Sequence, residues 1–143
     1  MVSSADAILV LGAVQGPVAA QGDHFSKLVH KASLVHHAID AASDPAVELI
    51  LKRKCADVCK VMFTLRAAGD SLDEAHLQAY DLLLRDSLGR SLSGDVGDDG
   101  WIQATCGVKD SGLGFRTATE VSRPAFIASR VAAWPGVRTI FRD

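Results

Sequence analysis

The sequence predicts an all-α fold, a bundle of four to five helices preceded by one short extended strand. Three observations lead to this fold class. Apolar residues recur at helical spacing through two long windows, residues 22–42 and 44–68. Helix-start signals, in which a capping side chain precedes an apolar run, occur at Asp44, Ser71 and Thr117. A strand-like run occurs only once, near the beginning of the chain.

Composition and charge describe one ordinary globular domain. The chain has 143 residues, of which 48% are hydrophobic and 22% charged, and its formal net charge is −2. This charge argues against a strongly basic nucleic-acid binder. The charge is uneven, because residues 1–100 carry nine basic and fourteen acidic side chains, whereas residues 101–143 carry six and three.

The sequence also predicts a compartment. The longest apolar run, residues 7–14, is interrupted by Gly12 and is far shorter than the roughly 20 residues that a membrane span needs. No basic residue precedes this run, so it does not resemble a secretory signal peptide. Three cysteines fit a reducing compartment better than a disulfide framework. We therefore expect an intracellular protein, cytoplasmic or nuclear, with no membrane partner.

Local patterning predicts the first two elements. The run from Ile8 to Leu11, followed by Gly12 and a Gly-Pro turn, predicts a short strand. Residues 22–42 predict a helix, because apolar side chains recur every three or four positions. These side chains are Phe25, Leu28, Val29, Ala32, Val35, Ile39 and Ala42.

A second helix is predicted from Asp44 to about Ala68. Asp44 followed by proline is typical of an N-cap with proline in the first helical turn. The predicted buried face of this helix is apolar and consists of Val47, Ile50, Leu51, Cys55, Val58, Met62 and Leu65. Lys52, Arg53 and Lys60 are predicted to project from the opposite side.

A third helix is predicted to begin at a capping box whose first residue is Ser71. It is predicted to end at Gly89, a glycine at the C′ position. Turn-forming residues over 91–100 then predict a loop. This loop divides the chain in two. Residues 1–90 are expected to form a helical region that includes the strand, and residues 101–143 a C-terminal helical segment that packs on the same core.

The C-terminal segment is predicted to hold two helices. A preceding pair of aspartates can cap a short helix over residues 101–106. Thr117 begins a second capping box, yet Pro124 lies where the helix interior would follow, which favours a start nearer Ser122. This last helix is expected to end at about Ala133, before a Trp-Pro-Gly stop.

The reactive side chains predict neither catalysis nor a metal site, and they imply no cofactor. Cys55, Cys59 and Cys106 lack the second closely spaced pair that is usual in a zinc site, so burial in the core is favoured. The histidines of the first helix are expected to be partly exposed polar positions, because neither a partner nor a cleft is indicated for them. The loop aspartates lack the closing glutamate of a calcium site. Residues 111–114 follow no strand, which disfavours a phosphate-binding loop.

The basic cluster on the second helix is the candidate binding site. Its members are Lys52, Arg53, Lys54 and Lys60. A solvated helix face explains these charges without any ligand, and contact with nucleic-acid phosphates is the alternative. Lys52, Arg53 and Lys60 are the candidate phosphate contacts.

Several short motifs also follow one another in a defined order. They are Leu-Gly at Leu11, Asp-Pro-Ala-Val at Asp44, Cys-Ala-Asp-Val-Cys-Lys at Cys55, Tyr-Asp at Tyr80, Arg-Asp at Arg85, Trp-Ile-Gln-Ala at Trp101, Ser-Gly-Leu-Gly-Phe-Arg at Ser111 and Ala-Phe-Ile-Ala-Ser at Ala125. This order resembles the segment after the palm, including the thumb, in reverse transcriptases of non-LTR retrotransposons. In that family a Trp-x-Gln-Ala helix leads into a Gly-Gly-Leu-Gly-x-Arg turn, and here Ser111 stands where the first of those glycines is expected.

The resemblance implies a thumb-like helical fold beside nucleic acid, without polymerisation. Polymerases of this family hold two metal ions on palm aspartates, commonly in an aromatic-Ala-Asp-Asp motif, and this sequence has no such motif. The chain is therefore expected to be a non-catalytic, retroelement-derived fragment that binds the backbone of an RNA or DNA duplex weakly. The alternative is a small helical protein-interaction module with no nucleic-acid role.

Exposed apolar surface is a further implication, because a thumb normally packs against a palm. We expect this surface to centre on the strand from Ile8 to Leu11. An unpaired strand has backbone donors and acceptors with which another chain can pair. The resemblance therefore predicts self-association.

Overall fold

The computed structural model describes residues 7–10 and 12–141. Within them the chain forms a β-hairpin and six α-helices: β1 (Ile8–Val10), β2 (Ala13–Gln15), α1 (Val18–Asp40), α2 (Pro45–Leu51), α3 (Met62–Ala68), α4 (Glu74–Leu92), α5 (Asp98–Thr105) and α6 (Ala118–Ile140). A π-helical turn (Lys52–Ala56) and a 3-10 turn (Val58–Lys60) connect α2 to α3, and another 3-10 turn (Val108–Asp110) follows α5. The predicted all-α class with a short N-terminal extended segment is confirmed.

The N-terminal strand is paired, which the sequence did not predict. β1 and β2 are antiparallel, with Ile8 opposite Gln15, and Gly12 lies between them with a φ of +93°. This left-handed backbone angle favours glycine, so the residue that interrupts the apolar run lets the chain reverse direction. Ala13 is buried, whereas Ile8 is exposed. Leu11, the predicted end of the strand, lies outside the described residues.

Helices α1, α3, α4 and the first turns of α6 surround the main hydrophobic core. Phe25 and Tyr80 lie at its centre, both fully buried, with ring centroids 6.2 Å apart. The other buried members are Ala32, Val58, Val61, Leu65, Leu72, Leu77, Leu84 and Ala118. A smaller cluster joins α5 and the loop after it to α4, and it consists of Leu88, Val96, Ala104 and Phe115. The C-terminal segment therefore packs against the helices that precede it.

The prediction of one continuous helix from Asp44 to Ala68 is wrong in its middle, where the helix is interrupted. Its start is as expected, because Asp44 Oδ1 accepts hydrogen bonds from two backbone N–H groups of the first turn, at 2.9 and 3.2 Å. After Leu51 the chain widens into the π-helical turn and then bends at Asp57, which has a ψ of −155°. It becomes α-helical again only at Met62. A π-helical turn rotates the side chains that follow it relative to an unbroken α-helix.

The first part of this segment buries the opposite side from the predicted one. Val47, Ile50 and Cys55 were expected to face the core and are exposed. Glu48 and Lys52 point inward instead. The apolar periodicity indicates the wrong side here because the buried side of α2 is charged.

The buried Lys52 ammonium is surrounded by four oxygen partners from three helices. It forms ion pairs with Asp40 at the end of α1 (2.5 Å) and with Glu48 of α2 (3.6 Å). It also donates hydrogen bonds to the Ser87 carbonyl (2.8 Å) and the Ser91 hydroxyl (2.5 Å) of α4. The Ser91 hydroxyl in turn donates to Glu48 at 2.5 Å. Such partners are needed because a buried charge loses its hydration.

A buried histidine lies beside this network, although the histidines of α1 were expected to be partly exposed. His36 Nε2 is 2.9 Å from the Ala56 carbonyl, an acceptor, so this nitrogen carries the proton. His36 Nδ1 therefore accepts the hydrogen bond of the Ser87 hydroxyl, at 2.7 Å. Burial lowers the pKa of His36 below 6.5, and the nearby charge of Lys52 lowers it further.

Both ends of α4 differ from their predictions. Asp73, rather than Ser71, is the N-cap residue. Gly89, predicted at C′, lies inside the helix, and the left-handed residue at the end is Ser93, with a φ of +54°. Glycine is required at position 89 by close packing, because a Cβ there would lie 2.8 Å from the Gly94 carbonyl oxygen.

Helix α6 begins at the Thr117 capping box and not at the start nearer Ser122 that the sequence favoured. The Thr117 hydroxyl accepts a hydrogen bond from the Glu120 backbone (3.2 Å) and donates one to the Glu120 carboxylate (3.0 Å). Asp81 of α4 adds a cap from outside, since its carboxylate accepts two backbone N–H groups of the first turn at 2.5 and 3.2 Å. The predicted start near Ser122 and end at Ala133 are both wrong, because α6 continues through Pro124 and Pro135, both inside the helix.

We expect Lys52→Met to lower the free energy of unfolding by about 3 kcal/mol, because it leaves two carboxylates without their buried counter-charge. This is the lower end of the usual range, since Asp40 keeps its ion pair with Arg90 at 2.7 Å. Urea unfolding followed by circular dichroism measures the change. Lys54→Met, at an exposed neighbouring position, is the control and should change stability by less than about 0.5 kcal/mol. Equal effects of the two substitutions would contradict the role given to Lys52.

We expect the free energy of unfolding to decrease as the pH falls below 6.5. Because the pKa of His36 is lowered in the folded state, the unfolded chain takes up the proton first, and stability is lost until the folded pKa is reached. Above pH 6.5 the contribution is fully present. Urea titrations between about pH 5 and pH 8 measure the slope, which His36→Gln should flatten. His37→Gln, at an exposed position, should keep the slope, and a profile unchanged by His36→Gln would refute the assignment.

Candidate nucleic-acid interface

The three predicted phosphate contacts have different surroundings. Lys52 has 0% of its side chain exposed and is paired with Asp40 and Glu48. Its ammonium is not available to a phosphate, which corrects its prediction as a surface contact. Arg53 is half-buried and Lys60 is exposed, and both lie in the connection between α2 and α3.

Arg53 packs against the loop that precedes α6. A Cβ added at Gly114 would lie 3.3 Å from Nε and 3.4 Å from Nη2 of Arg53, so the guanidinium rests directly over this glycine. Gly114 also has a φ of +71°, in the left-handed region that favours glycine. Glycine at this position therefore serves two purposes, because it turns the loop and leaves room for the guanidinium.

A second contact joins the same two segments. The Arg116 guanidinium donates two hydrogen bonds to the Asp57 carboxylate, from Nη2 to Oδ1 (3.0 Å) and from Nε to Oδ2 (3.1 Å). The Tyr80 hydroxyl stabilises the position of Asp57, because it donates a hydrogen bond to the Asp57 backbone carbonyl at 2.8 Å. Burial raises the pKa of Tyr80 well above its usual range, so this hydroxyl stays protonated. Arg116 keeps 52% of its side chain exposed, so the pair still presents a guanidinium at the surface.

These contacts bring together cations that are far apart in the sequence. We define the basic strip as Arg53, Lys54, Lys60, Lys109 and Arg116, all exposed or half-exposed. Val108, the neighbour of Lys109, lines the same groove as Arg53 and Lys54. Lys109 and Arg116 were missed by sequence reasoning, since local spacing does not place residues 109–116 beside residues 53–60. The excess of basic residues after residue 100 was the available signal.

A groove of about 330 Å³ lies between α2 and this loop, beside the basic strip. Its apolar walls are formed by Ala46, Leu49, Ile50, Val108, Leu113 and Phe115. Gly112 also lines it and has to be glycine, because a Cβ would collide with the Cys106 carbonyl. The groove thus combines apolar contact area with the cations of Arg53 and Lys54 at one side. Among the described residues that line it, none has a carboxylate or an imidazole for acid–base chemistry.

The cysteines do not lie where burial in the core would place them. Cys55 and Cys59 are exposed and Cys106 is half-buried, so the expected core position is wrong for the first two. Partial desolvation of its sulfur and the nearby Asp57 carboxylate raise the pKa of the Cys59 thiol, which disfavours a reactive thiolate. Across residues 7–10 and 12–141, no group of three or more His, Cys, Asp or Glu side chains could hold a metal ion. No helix in this part of the chain is long and apolar enough to cross a membrane.

Comparisons with known proteins did not test the resemblance. A scan against protein-family models, a search of curated proteins and a search of solved structures each gave no match. The similarity to a reverse transcriptase thumb therefore stays a prediction that is based on the order of motifs.

We expect Gly114→Ala to destabilise the protein by about 1–2 kcal/mol, because alanine is disfavoured at this φ and its Cβ would displace the Arg53 guanidinium. Gly136→Ala is the control, since a Cβ there meets nothing within 4 Å and α6 gains helix propensity. Thermal unfolding compares the two variants. A Gly114→Ala protein as stable as the Gly136→Ala protein would contradict the packing of Arg53 over this glycine.

Proposed function

We propose that the chain is a non-catalytic, reverse transcriptase thumb-like segment of retroelement origin whose basic strip contacts the phosphate backbone of an RNA or DNA duplex. The observation that carries this proposal is that the two segments that carry the strip's five cations are joined by Arg53 over Gly114 and by Arg116 on Asp57. Cation–phosphate contacts of this kind do not depend on base sequence. A cytoplasmic or nuclear location, where such duplexes occur, belongs to the same proposal.

Electrostatics makes this binding weak. The net charge of −2 and the acidic first hundred residues repel a polyanion at long range. Attraction is then limited to roughly the Debye length, about 8 Å at physiological salt. Arg116 contributes only part of its charge, because Asp57 already neutralises it. We expect an affinity at the weak end of non-specific binding, about 10⁻⁴ M.

Primer extension is not part of the proposed function. The sequence lacks the aromatic-Ala-Asp-Asp motif, and its Asp98-Asp99 pair lies at the start of α5. Asp98 forms an ion pair with Arg85 at 2.8 Å. Two-metal phosphoryl transfer needs carboxylates that hold both ions, so we assign this chain a contact surface only.

A protein-interaction module with no nucleic-acid role is the second candidate, and exposed apolar side chains favour it. Ile8 and Leu9 of β1 are each 63% exposed. The edges of the two-stranded sheet also offer free backbone groups to another chain. Self-association through this hairpin stays a prediction.

Salt-dependent binding of a fluorescent RNA–DNA duplex tests the nucleic-acid proposal. Four cations of the strip, all except Arg116, are free of an acidic partner in the described chain, which implies a slope of log affinity against log salt of about −3. Replacing Lys54, Lys60 and Lys109 by alanine should flatten this slope by about 2, because three counterion-releasing contacts are lost. Anisotropy titrations from about 50 mM salt upward give the slopes.

The control for this experiment removes the same number of charges elsewhere. Lys27, Lys31 and Arg66 are exposed on α1 and α3, and their triple alanine variant should keep most of the slope. If the two triple variants flattened the salt slope equally, the binding would depend on net charge rather than on the strip. No binding of the duplex at about 50 mM salt would favour the protein-interaction candidate.

A further inference from the structure

The second half of α6 carries an apolar stripe that faces solvent. We define the α6 seam as Ile127, Val131, Trp134 and Arg138 together with Phe141, the C-cap residue directly after the helix. Its four apolar members are between 59% and 79% exposed. An apolar patch of this kind on a protein surface marks a site of interaction.

The spacing of the seam matches a helical partner. Its members follow one another by four, three, four and three residues, which is the pattern of a helix face that packs along another helix. The fourteen steps from residue 127 to residue 141, at a rise of 1.5 Å each, make the seam about 21 Å long. A partner helix of about four turns would cover it. On the side of α6 nearest β2 and α3, the small residues Ser129 and Ala133 lie together with Arg130, which borders the seam.

The charges of the seam specify what the partner carries. Arg138 lies within the seam, and Arg130 lies beside it with its guanidinium 4.7 Å from the centre of the Phe126 ring. Residues 121–141 contain no aspartate or glutamate. A partner that covers the seam removes water from these guanidinium groups, so it has to supply carboxylates.

This requirement excludes the seam of a second copy as the partner. If two α6 seams packed in parallel, each arginine would face its own counterpart in the other copy. If they packed antiparallel, Arg130 of one copy would face Arg138 of the other. Like charges are then placed together while residues 121–141 of the described chain supply no carboxylate, which is unfavourable by several kcal/mol. Single-stranded nucleic acid offers anions and could stack on Trp134 and Phe141, but the aliphatic side chains of Ile127 and Val131 give no stacking surface.

We propose that the α6 seam binds an amphipathic helix of another protein, with apolar residues along its contact stripe and glutamate or aspartate beside that stripe. The apolar members of the seam supply contact area, and Arg130 and Arg138 select for the acidic flanks. This site shares no residue with the basic strip, and it goes beyond the proposed function.

A pair of synthetic peptides tests the proposal on the full chain. Both peptides have three heptads with Ile and Leu at positions a and d; one has glutamate at e and g, and the other has lysine. Like charges at e and g keep each peptide from pairing with itself. In fluorescence anisotropy at about 100 mM salt, the glutamate peptide should bind at least tenfold more tightly than the lysine peptide. Equal affinities, or no binding of the glutamate peptide at about 100 μM protein, would overturn the proposal.

Variants of exposed side chains sharpen this test. Arg130→Glu combined with Arg138→Glu should reverse the preference, so that the lysine peptide binds at least tenfold more tightly. Lys27→Glu combined with Lys31→Glu makes the same change in net charge on α1 and should leave the preference unchanged. Circular dichroism checks that each variant keeps its helices. An unreversed preference would also overturn the proposal.

Two further measurements assign the seam if the proposal fails. Sedimentation would reveal a dimer that Trp134→Ser abolishes, and such a dimer without binding of the glutamate peptide would assign the seam to a second copy. Binding of a labelled oligo(U) strand that Trp134→Ser abolishes, again without peptide binding, would assign it to nucleic acid. The triple alanine variant of Lys54, Lys60 and Lys109 should still bind the glutamate peptide, so failure of this proposal and failure of the proposed function are distinguishable.

Discussion

The buried ammonium of Lys52 is the contact on which the arrangement of the surrounding helices depends. It lies where the end of α1, the end of α2 and the second half of α4 meet, and its partners come from all three helices. Apolar side chains can repack when helices shift slightly, whereas a buried charge is stable only while its partners stay within hydrogen-bonding distance. The network therefore fixes the relative positions of the three helices more closely than the hydrophobic core does. Lys52 also lies at the start of the π-helical turn that separates α2 from α3.

The burial of Lys52 is also linked to the basic strip on the opposite side of this segment. Lys52 and Arg53 are consecutive residues of the π-helical turn and point in different directions, so Arg53 lies against the loop before α6 while Lys52 points inward. Asp57, after the π-helical turn, then meets Arg116 of that loop. The burial of Lys52 and the exposure of its basic neighbours are thus parts of one arrangement.

Features that depend on neighbouring residues alone could be predicted from the sequence. The Asp44 cap, the Thr117 capping box and the apolar face of α1 all follow from spacings of three or four residues. Features that depend on distant partners could not. Lys52 has the spacing of an exposed residue, and only its oxygen partners, up to 39 positions away, make its burial favourable. In the same way, the neighbours of Arg53 lie about sixty residues further along the chain, and no local pattern indicates them.

Helix α6 is stabilised unevenly along its length. Its first turn has two caps and contacts α4, whereas residues 131–141 are all exposed, so packing adds little to their helical structure. Pro135 removes one backbone hydrogen bond, and glycine at the next position is a poor helix former. Most helical stability in proteins comes from packing of an apolar face, so a partner on the α6 seam would add the stabilisation that this half of the helix lacks. Part of the interaction energy would then be used in holding the helix, which makes such a complex weaker and more reversible than its apolar area alone implies.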